Sequence, residues 1–299
     1  MEILGIIELA SIFCVFLLGM IFSFRLLGFT DLTVEGSFVM GGAIFAISNY
    51  IGLSPLISVV LSIIGGSIAG LFTALLHCYA GVNKLLSGII TLTILYSVNM
   101  RIMGLNNPLG QIGRSNLTIN NPDLLNAYDI FWYEPVILFS LAVAVFWILK
   151  YLLLTNFGLY IRAVGCNELF VKRLKQNPNK MIIIGLMISN GIIGLAGALF
   201  AQTVGAADIN QGQGMLVLML TAMVIGENII RPYSVNRQLL AAFIGAFVFE
   251  FIYFLAVDYN GIDPIDLKLM VGVLFIIFMV IGKINKRGRV DKNIGCDFF

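Results

Sequence analysis

Charge is what this sequence has least of. Only 11% of its 299 residues are Asp, Glu, Lys or Arg, and His77 is its one histidine. An average soluble domain carries roughly 25% charged and roughly 45–50% apolar residues; here 59% are hydrophobic. That balance excludes a water-soluble globular domain, because there is too little polar surface to cover the apolar bulk. The four cysteines, Cys14, Cys78, Cys166 and Cys296, form neither a metal-ligand spacing nor a disulfide framework. His77 has no second ligand in sight, so no metal site is expected. No GxxxxGK[ST] loop is present, so the chain cannot bind ATP in that way. A nucleophile elbow and a zinc helix motif are also absent, which argues against an enzyme. No cofactor of its own and no nucleic-acid partner are expected.

What the chain has instead is long apolar runs. A spanning helix needs about 20 mostly apolar residues. That ruler predicts nine spans: 4–24, 36–53, 55–78, 85–104, 135–154, 181–204, 214–226, 238–257 and 267–284. The seventh is too short to cross alone unless it extends or is broken. The first lacks a basic lead and a small-residue cleavage site, so it reads as a retained span. Basic residues gather on the cytoplasmic side of membrane proteins. Loop 155–180, loop 227–237 and the tail from Lys283 hold most of them, and alternation adds Arg25, Lys84 and Lys150. Of 18 basic residues only Arg101, Arg114 and Lys268 are left outside, facing acidic loops with Asp123, Asp129, Glu134, Asp258, Asp263 and Asp266. The expected topology is N-terminus outside, C-terminus cytoplasmic.

Two segments echo each other. TDLTVEGSFVMGGAIF (30–45) and ADINQGQGMLVLMLTAMVIG (207–226) each follow a long span. Each carries an acidic residue, then polar residues, reaches glycine, and opens a short apolar run. Under the expected topology they lie in opposite orientation. The chain therefore reads as an all-α polytopic membrane protein of four spans, a connector and four inverted spans. Its parts are a first repeat (1–104), an outer loop and connector (105–154), a cytoplasmic loop (155–180), a second repeat (181–284) and a basic tail (285–299). Paired, glycine-interrupted segments in inverted repeats point to a transport pathway. Candidate pathway residues are Asp31, Thr33, Glu35, Gly36, Ser37, Asn190, Asp208, Asn210, Gly212 and Glu250. Each has a plainer reading. Asp31 is placed to cap the next helix, with Glu35 in its first turn at the positive end of the dipole. Asn190, among glycines, suits close helix packing. Glu250, ionisable within a span, either faces the pathway or bonds a neighbouring helix.

In loop 155–180, Asn167 is an expected N-cap, followed by Glu168 and then Lys172, Arg173 and Lys175, an order that complements a helix dipole. Phe170, Val171 and Leu174 are expected on one face, and Asn177-Pro178 is expected to end the helix. Such a helix either lies on anionic headgroups or docks a soluble partner.

DLTVEGSF, LLSGIITLTILYSVNMRIMG (85–104), FGLYIRAVGCNE (157–168) and SNGIIGLAGALFAQTVGAADINQGQGM (189–215) occur in order. Together they resemble the branched-chain amino acid/ribose-type permeases of bacterial ABC importers. The resemblance runs from about residue 15 to about residue 285. It implies a bacterial plasma-membrane permease, assembled as two copies with cytosolic ATP-binding subunits and an extracellular solute-binding protein. ATP would be bound by the partner subunit. Arg162, Gly165, Asn167 and Glu168 match the family's coupling loop, with Leu169, Phe170 and Leu174 as the docking face. Cys166 stands where Asp is common, Leu169-Phe170 where a Glu-Met pair is frequent, and VKRLKQ replaces an alanine- and glycine-rich continuation. The DLTVEGSF-like start leans towards amino-acid transport, aromatic ones included. The alternative is an ion-coupled secondary transporter, which would need no partner-binding helix inside.

Overall fold

A computed structural model describes residues 2–104, 116–118, 133–256 and 267–287. Arg114, Asp123, Asp129, Asp258, Asp263, Asp266, Cys296 and most of the 105–134 loop lie outside the described residues. The order is α1 (Glu2–Ile21), a π-helical turn (Phe22–Leu26), α2 (Thr33–Tyr50), α3 (Pro55–Cys78) and α4 (Lys84–Gly104). After strand β1 (Asn116–Thr118) come α5 (Tyr133–Leu154), α6 (Asn156–Cys166), α7 (Glu168–Arg173) and α8 (Pro178–Val204). Strand β2 (Ala206–Asp208) and a 3₁₀ turn (Ile209–Gly212) lead to α9 (Met215–Ile229), α10 (Val235–Phe254) and α11 (Leu267–Arg287). Without water to pair backbone groups, a spanning chain must satisfy them internally, and helices do this within one segment.

Among the described residues seven helices are long and apolar enough to cross a membrane, and α11 contributes a shorter apolar stretch, Leu269–Gly282. Helix α2 is not one of the seven, yet most of its residues are buried. It is too polar to face lipid and is instead wrapped by α3, α4 and α8. All nine expected spans thus have a helix. Within 155–180 two helices stand where one was expected. Thr155 caps α6 by accepting from the Gly158 N–H, and Asn167 caps α7 by accepting from the Leu169 and Phe170 N–H groups. Helix α7 ends well before Asn177-Pro178, where Lys175 takes a left-handed φ of 57°. The Asn177-Pro178 pair starts α8: Asn177 accepts from the Asn179 N–H, with Pro178 in the first turn.

The packing partners come in matched pairs. Helix α2 packs on α3 and α4 as α9 packs on α10 and α11, and α1 packs on α10 as α8 packs on α3. At one end of the bundle Arg25 pairs with Glu227, Lys84 pairs with Glu168, and Asn228 donates to the Phe278 carbonyl. Segments around residues 25, 84, 168, 227 and 282 therefore share that end. At the other end β1 and β2 form a two-stranded antiparallel ribbon, with Leu117 opposite Ala207.

The centre is a seam of α2, α3 and α8 held at backbone distance. A Cβ on Gly197 would strike the Phe38 carbonyl, and one on Gly41 would strike the Gly194 carbonyl. Small residues permit this approach, and dispersion plus hydrogen bonding then hold helices that lipid would not drive together. Ser62 Oγ adds a bond of 2.8 Å to the Gly41 carbonyl. Gly197→Leu is expected to cost about 3 kcal/mol or more through backbone displacement, lowering the thermal midpoint in detergent. Gly5→Leu, where no atom lies within 4 Å of the new Cβ, should leave that midpoint unchanged.

Candidate functional site

The two echoing segments meet inside the bundle. Helices α2 and α8 run side by side in parallel, with Ser37 Oγ donating to Asn190 Oδ1 at 2.7 Å and Gly41 against Gly194. Asn190 stands twelve residues into α8, about 18 Å along it at 1.5 Å per residue. The base of α2 therefore lies deep inside rather than at the surface. Asp31 is fully buried there. Its Oδ1 accepts the Thr33 N–H at 2.9 Å, and its Oδ2 accepts from Asn190 Nδ2 at 2.6 Å. The capping expectation for Asp31 is met, with Asn190 added as a second partner from α8. Thr33 Oγ1 shares a 2.7 Å bond with Thr73 Oγ1 of α3. Asn99 of α4 donates to the Gly36 carbonyl at 3.1 Å. Asp31, Thr33, Ser37 and Asn190 are all fully buried and tie α2 to α3 and α8.

Glu35 does more than its place in α2 suggested. Its Oε1 accepts the Gly214 and Leu216 N–H groups, each at 3.1 Å. From the first turn of α2, where it was expected, it thus also complements the positive end of α9. Those N–H groups open α9, and the first donors of a helix have no partner within it, so the Glu35 carboxylate supplies one. Gly212 is buried against the Glu35 carbonyl and Val39. Two helix N-termini, α2 and α9, meet here, each supplied with a carboxylate. Asp208 closes the 3₁₀ turn through the Asn210 N–H at 2.9 Å, with Gln211 returning a bond to the Asp208 N–H. Asn210 and Gln213 are exposed. Glu250 is away from this cluster, on α10, 3% exposed, and its Oε2 has no hydrogen-bond partner among the described residues.

The second candidate region sits at the basic end. Leu169, Phe170 and Leu174 are 65%, 45% and 48% exposed, an apolar face open on the outside of the bundle. Val171, expected on the same face, is instead fully buried: six residues make fewer than two turns, and Val171 turns inward as the anchor. Gly165 lies against the backbone of 26–28, Arg162 Nε donates to the Gly158 carbonyl at 3.4 Å, and Glu168 pairs with Lys84 at 3.2 Å. Thr73, Asn99, Lys84 and Gly28 were not singled out in the sequence. A single polar residue on an apolar helix, or a glycine after one, carries no signal until its partner is known.

A multi-pass bundle whose short helix α2 begins inside it, with an exposed apolar helix at its basic end, is the architecture of a membrane permease. A family model described as branched-chain amino acid transport system, permease component, matches residues 2–280. The chain belongs to that family, whose members are permease subunits of binding-protein-dependent ABC importers, not enzymes. It is similar to a tyrosine transport system permease protein of Clostridioides difficile (strain R20291), 34% identical over 95% of this chain and 92% of that one. An uncharacterized protein of Rickettsia prowazekii (strain Madrid E) is 36% identical over 91% of this chain and 94% of its own length. A galactofuranose transporter permease protein of Escherichia coli (strain K12) is 28% identical over 75% of this chain and 63% of its own. No solved structure matches the chain.

Asn190→Ala leaves Asp31 Oδ2 and Ser37 Oγ without partners and is expected to destabilise the protein by about 2–3 kcal/mol. Asn210→Ala, on the exposed turn, should cost under about 0.5 kcal/mol. Unfolding titrations in mixed micelles measure both.

Proposed function

We propose that this permease works as two copies, each engaging a cytosolic ATP-binding subunit through α7 and receiving an amino acid, aromatic ones included, from an extracellular binding protein. The observation that carries the reading is α7 itself. Its exposed Leu169, Phe170 and Leu174 are held out by an inward Val171 and an Asn167 cap. A permease driven from outside its own chain needs such a surface; an ion-coupled transporter does not. ATP is bound and hydrolysed by the partner, consistent with the absence of a phosphate loop here. The clustering of basic segments at one end supports a bacterial plasma-membrane orientation with the N-terminus outside and the C-terminus cytoplasmic. The matched packing pairs support inverted repeats, whose interface contains Asp31, Glu35 and Asn190. A second copy is supported by α4, whose outer side mixes Thr93, Tyr96, Ser97 and Arg101 with Ile89 and Ile94, a mixture costly against lipid alone. The tyrosine-transporting relative supports the solute class.

In this reading solute enters where α2 and α9 begin, and movement of α7 rocks one repeat against the other. Tagged protein purified gently from its own cells is expected to bring an ATP-binding subunit, identified by mass spectrometry. Phe170→Asp with Leu174→Asp should lose it. Reconstituted vesicles should take up labelled tyrosine, not ribose, and only with ATP. A chain that purifies alone and moves solute on an ion gradient would establish the secondary transporter instead.

A further inference from the structure

Three chain segments that are distant in sequence converge on one lysine beside α7. Lys84, the first residue of α4, places Nζ 3.2 Å from Glu168 Oε1, the first residue of α7. The same Nζ lies 3.5 Å from the Gly28 carbonyl and 5.9 Å from the centre of the Phe29 ring. Gly28 and Phe29 belong to the turn joining α1 to α2. Two residues before the α7 cap Asn167, Gly165 meets that same turn. A Cβ on Gly28, whose φ is +63°, would come 2.8 Å from the Gly165 carbonyl, and one on Gly165 would strike the Leu26 carbonyl. The backbones touch with no side chain between them, so neither can shift without the other. One helical turn further along α4, a Cβ on Gly88 would come 2.8 Å from the Leu32 nitrogen. The turn 26–32 is thus gripped by the end of α6 on one side and the start of α4 on the other. Its far end is Asp31, which holds α2 to α8, and four residues later Glu35 holds the start of α9.

We propose that Lys84, with the Gly28–Gly165 backbone contact, is the linkage that delivers movement of α7 to the bases of α2 and α9. Lys84 and Glu168 are positioning residues for transport, acting through the turn 26–32 rather than touching solute. The inference rests on the reading of α7 as the ATPase-docking helix and adds the route by which its movement reaches the pathway. The side chains of Lys84 and Glu168 are 30% and 40% exposed, and an ion pair so wetted contributes little to stability. Its placement at the meeting of α4, α7 and the turn has a mechanical explanation instead. The direct chain connection from α7 to α8 runs through Lys175 in a left-handed conformation and a new cap at Asn177. That is a change of direction between two helices, not a continuous rod, so the rigid path is the one through Gly165 and Lys84.

The test uses the permease assembled with its own ATP-binding subunit and binding protein in proteoliposomes, comparing Lys84→Glu, Glu168→Lys, their double exchange, and Lys180→Glu as a charge control. Lys84→Glu, which lies on α4 outside the docking helix, is expected to keep the ATPase bound and hydrolysing, and Glu168→Lys is compared per assembled complex. Solute moved per ATP should fall about tenfold, the scale of a typical coupling between sites. The double exchange should recover most of that ratio, and Lys180→Glu should leave it unchanged. A merely structural role would lower hydrolysis and transport together through loss of assembled complex, and that outcome overturns the proposal. So does an unchanged ratio in both single variants, or a double exchange no better than either. Gly165→Ala, checked as folded by gel filtration, should lower the same ratio; a folded variant with the wild-type ratio also overturns it. If wild-type transport needs no ATP, the docking reading itself fails and the linkage with it, a result the wild-type control alone reveals.

Discussion

The structure turns on the burial of one carboxylate. Asp31 is fully buried, and a charged group in such a place must be paired or its burial is very costly. The partners come from two directions: the first N–H of α2 and the amide of Asn190 halfway along α8. Because Asn190 also accepts from Ser37, one amide fixes both the depth and the rotation of α2 against α8. A shift of α2 by one turn against α8 would break both bonds to Asn190 at once. The position of α2 inside the bundle follows from this requirement more than from its modest hydrophobicity.

The glycine seam is what makes that bond geometry reachable. Side chains at positions 41, 194 and 197 would hold the helices apart by the thickness of a methyl group or more, and Ser37 would no longer meet Asn190. Close approach and polar pairing therefore depend on each other. In lipid this is the favoured arrangement, because apolar contact alone gives helices no reason to leave the bilayer's own hydrocarbon for one another. The outer helix α3 shows the complementary pattern, with Ile57, Val60, Ile64, Ile68 and Phe72 exposed along one side and small residues against α8.

Glu35 carries the arrangement from the first half of the chain to the second. The first N–H groups of helix α9 are met by a carboxylate from α2. The starts of α2 and α9 are consequently one assembly. Any movement at the base of α2 changes the support of α9, which is the coupling a rocking permease requires. At the basic end, the bidentate pair of Arg25 with Glu227, at 2.7 and 2.6 Å, joins the end of α1 to the end of α9, so α9 is tied at both of its ends to the first half.

The membrane class, a helix at each of the nine apolar runs and the capping roles of Asp31 and Asn167 were legible in the sequence, because each depends on local quantities: apolar run length, or a side chain that bonds a backbone group within three residues. The destination of Glu35 was not. Its own helix offered a dipole next door, and nothing local signals that a helix 179 residues away begins within reach. Val171 was misplaced because a six-residue helix gives too few turns for periodicity to fix its inward side. Helix α6 was passed over as loop because its apolar positions are too few to span. The pairing of Lys84 with Glu168, and of Gly28 with Gly165, belonged wholly to the tertiary structure. Local bonds are written in spacing, but contacts between distant segments are set by the packing of the whole bundle.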